Sequence, residues 1–224
     1  MLEIRIAICL VMLIIASIMD LKKREISDKV WLISGSIGII LLIIDHSNLD
    51  LFYAISLGIV SIIAYTIYRT GMFGGADAKA LVVISLLLPY YEINNSIHNI
   101  PALTVLTNGV ILTIVNVFHN IIRNSIDILR GNKIFDGFNE PLSRKILAFI
   151  LGFKAKKIND YLFLMEDEGK RFRFHVNAYD DFVEDARDVW VTAALPFIIY
   201  MTIGFVIMLI YGDMVGSIIT LLIS

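Results

Sequence analysis

The chain has 224 residues, 58% of them apolar, with a formal net charge of −2 and a mean hydropathy of +0.78. Several runs approach the ~20 apolar residues that a helix needs to cross a bilayer, which excludes an ordinary soluble domain. The single cysteine, Cys9, excludes a disulfide framework and any Cys-x-x-Cys zinc site.

Ile4 to Met19 is the first candidate span, ending at Asp20 and followed by Lys22-Lys23-Arg24. Its basic cluster follows the apolar run and no small-x-small site is present, so it is expected to remain in the mature chain. Val30 to Ile44 forms a second span that Ser27 or Asp28 can cap, and Leu51 to Tyr68 a third. The stretch Gly71 to Ala80, reading GMFGGADAKA, then delivers one carboxylate, Asp77, to the start of a fourth apolar helix, Ala78 to Leu88, stopped by Pro89. At ~1.5 Å per residue this helix covers only about 18 Å, so it either begins part-way into the membrane or draws the glycine turn to membrane depth. Ile100 to Ile122 is the fifth span and Val189 to Tyr211 the sixth, with Gly212-Asp213 separating it from an apolar tail, Met214 to Ile223.

Between the fifth and sixth spans, Tyr161 to Glu166 and Lys170 to Val176 flank the turn Asp167-Glu168-Gly169 and read as a β-hairpin, with Phe172, Phe174 and Val176 alternating against charged residues. Pro141 to Leu151 reads as an amphipathic helix suited to a membrane surface. The expected fold is therefore an all-α polytopic membrane protein of about six transmembrane helices with a small cytoplasmic α+β domain. Residues 1–130 hold the first five spans, 131–187 the small domain, and 188–224 the sixth span and tail.

Basic residues fix the expected orientation. Apart from Arg5, they lie in the connections after the first, third and fifth apolar runs, while the segments Asp45 to Asp50 and Pro89 to Asn99 contain none. The positive-inside rule then places the N-terminus outside and both Asp20 and Asp77 at the cytoplasmic ends of their helices.

Taken alone, Asp77 reads as a first-turn acid favoured by the helix dipole, and Asp20 as a helix end near the head groups. Two acids from distant parts of the chain on one membrane face are another matter. In a close carboxylate pair one group stays ionised and activates water while the other stays protonated and polarises a carbonyl, which is aspartyl protease chemistry. Gly74 and Gly75 lack side chains and admit a second backbone beside the exposed N–H groups of the helix start, so Gly74, Gly75 and Ala76 are candidates for substrate binding. Lys79 is a further candidate, although its spacing from Asp77 also suits a lysine snorkelling to the interface. Asn108, Asn116 and His119 share a face of the fifth helix and suit interhelical hydrogen bonding. The histidines show no ligand spacing, and neither a metal nor any other cofactor is expected.

Asp20 followed by Lys22-Lys23-Arg24 and Ile26-Ser27-Asp28 resembles the first-aspartate region of type IV prepilin peptidases, in which basic residues and an Ile-Pro-Asn or Ile-Pro-Asp follow an aspartate. Gly74-Gly75-Ala76-Asp77-Ala78-Lys79 is similar to that family's Gly-x-Gly-Asp-x-Lys block, shared in shorter form with presenilin and signal peptide peptidase. Ala194-Leu195-Pro196-Phe197 resembles the family's proline-phenylalanine element near the last helix. Ala76 stands where the family usually has its second glycine, and Ser27 replaces the usual proline. The absence of a four-cysteine insertion makes the chain similar to the shorter archaeal branch, the prearchaellin (preflagellin) peptidases.

That resemblance implies a membrane aspartyl endopeptidase with Asp20 and Asp77 as catalytic residues, acting at the cytoplasmic membrane face. Its implied partners are membrane lipid and archaellin or type IV pilin-like precursors, from which it would remove a short basic leader; no nucleic-acid partner is expected. Asp181, Glu184, Asp185 and Asp188 follow i, i+3, i+4, i+7 spacing. The first three are expected to attract the basic leader, the alternative being a solvated helix face. Two competing functions are an intramembrane protease of the presenilin kind and an ion-coupled transporter. The basic block after Asp20 and the absence of inverted repeats argue against them.

Overall fold

The computed structural model describes residues 1–45, 51–70, 74–89, 91–157, 162–167, 169–174 and 188–223. These form two compact units, residues 1–112 with 196–224, and 113–195.

The first unit is helical: α1 (Leu2–Lys23), α2 (Asp28–Ile44), α3 (Leu51–Thr70), α4 (Gly75–Leu87), α5 (Pro101–Leu112), α8 (Phe197–Ile210) and α9 (Met214–Ile223). Polar residues are buried here and large aliphatic ones exposed. Arg5, Ser17, Thr104 and Asn108 are inside, while Ile14, Ile33, Ile43 and Ile62 face outward. A lipid solvent selects this inversion, since tails tolerate Ile and Leu but leave polar groups unpaired.

Close helix crossings rest on glycine. At the α5–α8 crossing, a Cβ on Gly204 would stand 2.8 Å from the Gly109 nitrogen, and one on Gly109 would stand 3.3 Å from the Met201 nitrogen. Beside it the buried Asn108 donates to the carbonyls of Gly204 and Gly212 and accepts the Met214 N–H at 3.0 Å, pinning the α8–α9 break. Ser17 and Thr202 share a hydrogen bond of 2.7 Å between α1 and α8. At the other end of α1, Arg5 donates to the carbonyls of Leu87 (3.2 Å) and Leu41 (2.6 Å), so one guanidinium joins the C-terminal turns of α4 and α2.

By length and composition, Leu2–Lys23, Leu51–Thr70 and the stretch Pro101–Leu129, counted through its break at Thr113, suffice to cross a membrane. Phe197–Ile210 and Met214–Ile223, bent by 58° at Gly212-Asp213, make a fourth if taken as one broken span. The described structure thus carries three or four candidate spans where the sequence suggested about six. The helices α2 and α4, at 17 and 13 residues, are short for a span.

The second unit holds α6 (Ile114–Leu129), α7 (Leu142–Leu151) and a three-stranded antiparallel sheet, β1 (Phe153–Ala155), β2 (Leu162–Leu164) and β3 (Val189–Ala193), in the order β1-β3-β2. The expected sixth span divides here. Val189 to Ala193, a Val-Trp-Val-Thr run, is the central strand, pairing Val191 with both Phe153 and Leu164, and only after Pro196 does α8 begin. The expected hairpin is also revised. Its two legs do meet, the Asp167 N–H donating to the Arg171 carbonyl at 3.0 Å, the Arg173 N–H to the Met165 carbonyl at 2.8 Å, and Glu166 bridging Phe172, while Leu162–Leu164 of the first leg pairs with β3; Glu168 lies outside the described residues. Of its second leg, Val176 lies outside the described residues.

Trp190 is the centre of this unit. Its indole N–H donates to the Ile134 carbonyl at 3.0 Å, Phe135 stacks on it at 5.1 Å, and Phe172 meets it edge-on at 5.4 Å. Beneath it the buried Glu166 accepts the Trp190 N–H (2.9 Å) and the Lys170 ammonium (2.8 Å), so its charge is compensated.

Candidate active site

Asp77 is the third residue of α4, and its carboxylate Oδ2 accepts the N–H of the cap residue Gly74 at 2.8 Å. This reciprocal contact is half of a capping box, and it satisfies a donor that the helix start would leave open. Asp77 is only 8% exposed and lies on the α4 face that carries Ala80, Leu81 and Ile84, all buried.

Asp20 is half-buried in the last turn of α1, which closes with Arg24 in the left-handed conformation (φ 54°). Its charge acts on Asp77, so the two carboxylates lie within electrostatic reach of each other. Fifty-seven positions of sequence separate them, and the packing of α1 on α4 brings them to the same end of the bundle. Ser27 begins the adjacent helix α2 as expected, its hydroxyl accepting the Lys29 N–H.

Gly74 has φ −68° and ψ 157°, an ordinary extended conformation, and Gly75 is helical, so neither uses the left-handed freedom of glycine. A Cβ on Gly75 would meet the Tyr68 ring at an ordinary 3.4 Å. Ala76 packs against the helical core. Gly71 lies outside the described residues, as do Asp181, Glu184 and Asp185; Asp188 just precedes β3 with φ 55°.

Lys79 turns away from Asp77 and pairs with Asp28 at 2.5 Å. Asp28 belongs to the Ile26-Ser27-Asp28 motif, so the ion pair joins the two motif segments, α2 to α4. Both partners are at least half exposed, which limits the pair to about 0–1 kcal/mol. The sequence reading missed this role for Asp28. Its one signal was a position in the first turn of α2, opposite the only cation of the second motif.

A cavity of about 740 Å³ opens between α2, α3 and α4, lined among others by Trp31, Tyr65, Tyr68, Gly75, Lys79 and Val83. Its α4 residues, 75, 78, 79, 82 and 83, form one helical stripe, on the face opposite Asp77. Gly75 and Lys79 therefore belong to a different side of α4 from the carboxylate pair.

Comparison with known proteins matches the sequence to a family. Residues 7–118, which include both aspartates, match the type IV leader peptidase family, and residues 156–214 match the archaeal peptidase A24 C-terminus, type II. The chain is 30% identical to the preflagellin peptidase of Methanococcus voltae, over 95% of this chain and 97% of that one. It is 29% identical to that of Methanocaldococcus jannaschii (90% and 91%) and 26% identical to that of Methanococcus maripaludis (90% and 92%). With half of its length matching the family model, and a relative 30% identical over nearly all of both chains, the chain belongs to the type IV leader peptidase family.

Proposed function

We propose that this protein is a membrane aspartyl endopeptidase that removes the basic leader from preflagellin or related pilin-like precursors. The observation that carries the reading is the packing of α1 on α4, which brings Asp20 and Asp77 to one end of the helical unit, in a chain whose relatives are preflagellin peptidases. In the proposed reaction the pair shares one proton. The ionised carboxylate takes a proton from water as the oxygen attacks the scissile carbonyl, while the protonated one hydrogen-bonds to the carbonyl oxygen. Collapse of the tetrahedral diol breaks the C–N bond, and a proton passes to the leaving amine. The reading includes six membrane crossings, an external N-terminus and a site at the cytoplasmic face, supported by the distribution of basic residues.

The test is cleavage of a precursor bearing a basic leader by purified enzyme. Asp20→Asn and Asp77→Asn are each expected to lower turnover by at least about 10²-fold, the low end of what a positioned acid or base contributes, with the protein still accumulating in membranes. Near-normal turnover in either variant sinks the two-aspartate mechanism. In the same assay, lysine at Asp181, Glu184 and Asp185 is expected to raise KM for the basic-leader substrate, most at low salt, because steering is screened over ~8 Å at physiological ionic strength. An equal rise for a substrate with a neutral leader would leave the acids without a steering role.

A further inference from the structure

The cavity between α2, α3 and α4 is charged at one end and apolar in its depth. Its lining on α4 runs from Gly75 to Val83, about 12 Å at ~1.5 Å per residue. At the Gly75 end Asp28 and Lys79 form their ion pair. Two further exposed cations, Lys29 in the first turn of α2 and Arg69 in the last turn of α3, are the chain neighbours of the lining residues Asp28 and Tyr68. Asp77 lies on the opposite side of α4, so these helix ends set three cations against one acid on the cavity side. Farther in, the walls are Leu32, Ala64, Val82 and Val83.

Two features mark a ligand site. Trp31 lines the cavity and is only 5% exposed, yet its indole N–H has no hydrogen-bond partner among the described residues. A buried donor of this kind calls for an acceptor beside it. The volume of about 740 Å³ also falls within the ~300–1,000 Å³ usual for a site that takes one small molecule.

The walls show where an occupant comes from and what it must carry. Leu32, Tyr65 and Tyr68 line the cavity and are also exposed, so it opens sideways through the same outer surface that presents Ile33, Ile43 and Ile62. The medium suited to that surface is lipid. Ser61 already donates its hydroxyl to the Leu57 carbonyl at 2.8 Å, and Asp28 already accepts from Lys79. A buried indole donor and an excess of positive charge are left over, and they ask for oxygen acceptors and negative charge on an apolar molecule.

We propose that this cavity holds one anionic membrane lipid. Its chain lies between Leu32, Ala64, Val82 and Val83, an oxygen at its glycerol linkage accepts the Trp31 N–H, and its phosphate is met by Lys79. An apolar helix of a protein partner has its backbone bonded internally and brings no acceptor for the indole, which is why lipid is chosen. The inference is independent of the peptidase chemistry, because the cavity and Asp77 are on opposite sides of α4.

Native mass spectrometry of the full chain in mild detergent tests it, with phosphatidylglycerol, phosphatidylcholine and diacylglycerol of identical chains added back in turn. Phosphatidylglycerol is expected to give a single-lipid adduct severalfold tighter than phosphatidylcholine, with diacylglycerol weakest. Trp31→Phe keeps an aromatic ring and deletes the donor, and is expected to weaken that adduct severalfold. Val82→Phe fills the cavity and is expected to remove it, whereas Ile59→Phe, at an exposed position outside the lining, should leave it intact. Phosphatidylglycerol should also raise the thermal midpoint of the parent and not that of Val82→Phe. If Val82→Phe fails to fold, Trp31→Phe alone decides. An adduct equally strong in the parent and Trp31→Phe, or one that survives in a folded Val82→Phe, would place the lipid elsewhere. Equal retention of all three lipids would mean only unspecific lipid adhering to an apolar surface. Each of these results overturns the proposal.

Discussion

The Gly74 N–H is the one hydrogen-bond donor to the Asp77 carboxylate among the described contacts, and a hydrogen bond to a charged group is worth ~1.5–3 kcal/mol. Gly74 sits at φ −68° and ψ 157°, angles open to alanine and proline alike, and a Cβ there would meet Asp77 Oδ2 at an ordinary 3.4 Å. Gly74→Ala keeps the donor and is expected to retain cleavage, with stability unchanged or raised by ~0.4–1 kcal/mol. Gly74→Pro deletes the donor and is expected to lose about ten- to hundredfold in kcat/KM. If alanine loses as much as proline, the missing side chain matters and a substrate backbone crosses Gly74. A second residue titrates on its own account. His98 Nδ1 accepts the Ile100 N–H at 3.0 Å, which requires a neutral ring, and burial holds its pKa below 6.5 although the Asp213 carboxylate, 3.9 Å from Nε2, pulls it upward. A histidine whose folded pKa is depressed contributes stability that is full above its unfolded pKa and is lost as pH falls below it. Thermal unfolding in detergent is therefore expected to show lower stability below pH ~6.5, and His98→Gln to flatten that decline. An unchanged profile in the variant would assign the decline to other groups. The helix-end positions of Asp20 and Asp77 were legible in the sequence because each bounds an apolar run. The pairing of Lys79 with Asp28 was not, because it depends on how α2 and α4 pack.

Helix starts and stops followed local chemistry. Ser27 caps α2, Pro141 precedes α7, and Pro89 follows α4, each as side-chain and ring geometry require. The strand β3 was hidden for a physical reason. Val189 to Ala193 is as apolar as the helix after it, and a short buried strand has no periodicity to separate it from a span; only its β-branched residues and Pro196 mark the change. The three-residue strand β1 is shorter than any pattern can register. Packing partners were equally unreadable, and the α5–α8 crossing gives them a test. Gly204 would place a Cβ 2.8 Å from one backbone atom and 2.9 Å from another, whereas the contacts at Gly109 begin at 3.3 Å. Helix backbones cannot yield as side-chain ends do. Gly204→Ala is expected to cost ~1–3 kcal/mol through overpacking, and Gly109→Ala distinctly less, read as midpoint shifts in detergent. The reverse order would mean that α5 and α8 cross elsewhere.

Two cores of different chemistry occupy one chain. The helical unit packs Leu13, Leu81, Ile84, Val105 and Phe205 in a cluster that shares no residue with the Trp190, Phe172, Phe138 and Ile134 cluster of the second unit. Residues 113–195 make about eighty residues, for which typical stabilities of ~0.05–0.15 kcal/mol per residue give about 4–12 kcal/mol. Trp190 is fully buried, and truncating such a tryptophan costs ~3–5 kcal/mol, much of that total. Trp190→Ala also strands the Ile134 carbonyl that its indole N–H satisfies, which adds to the loss. The variant is therefore expected to admit limited proteolysis within residues 113–195 at temperatures where the parent resists, while fragments of the helical unit stay protected and helical by circular dichroism. The expectation rests on Trp190 belonging to the second cluster alone. Simultaneous loss of both units at one midpoint, in parent and variant alike, would show that they fold as a single cooperative body despite their separate cores.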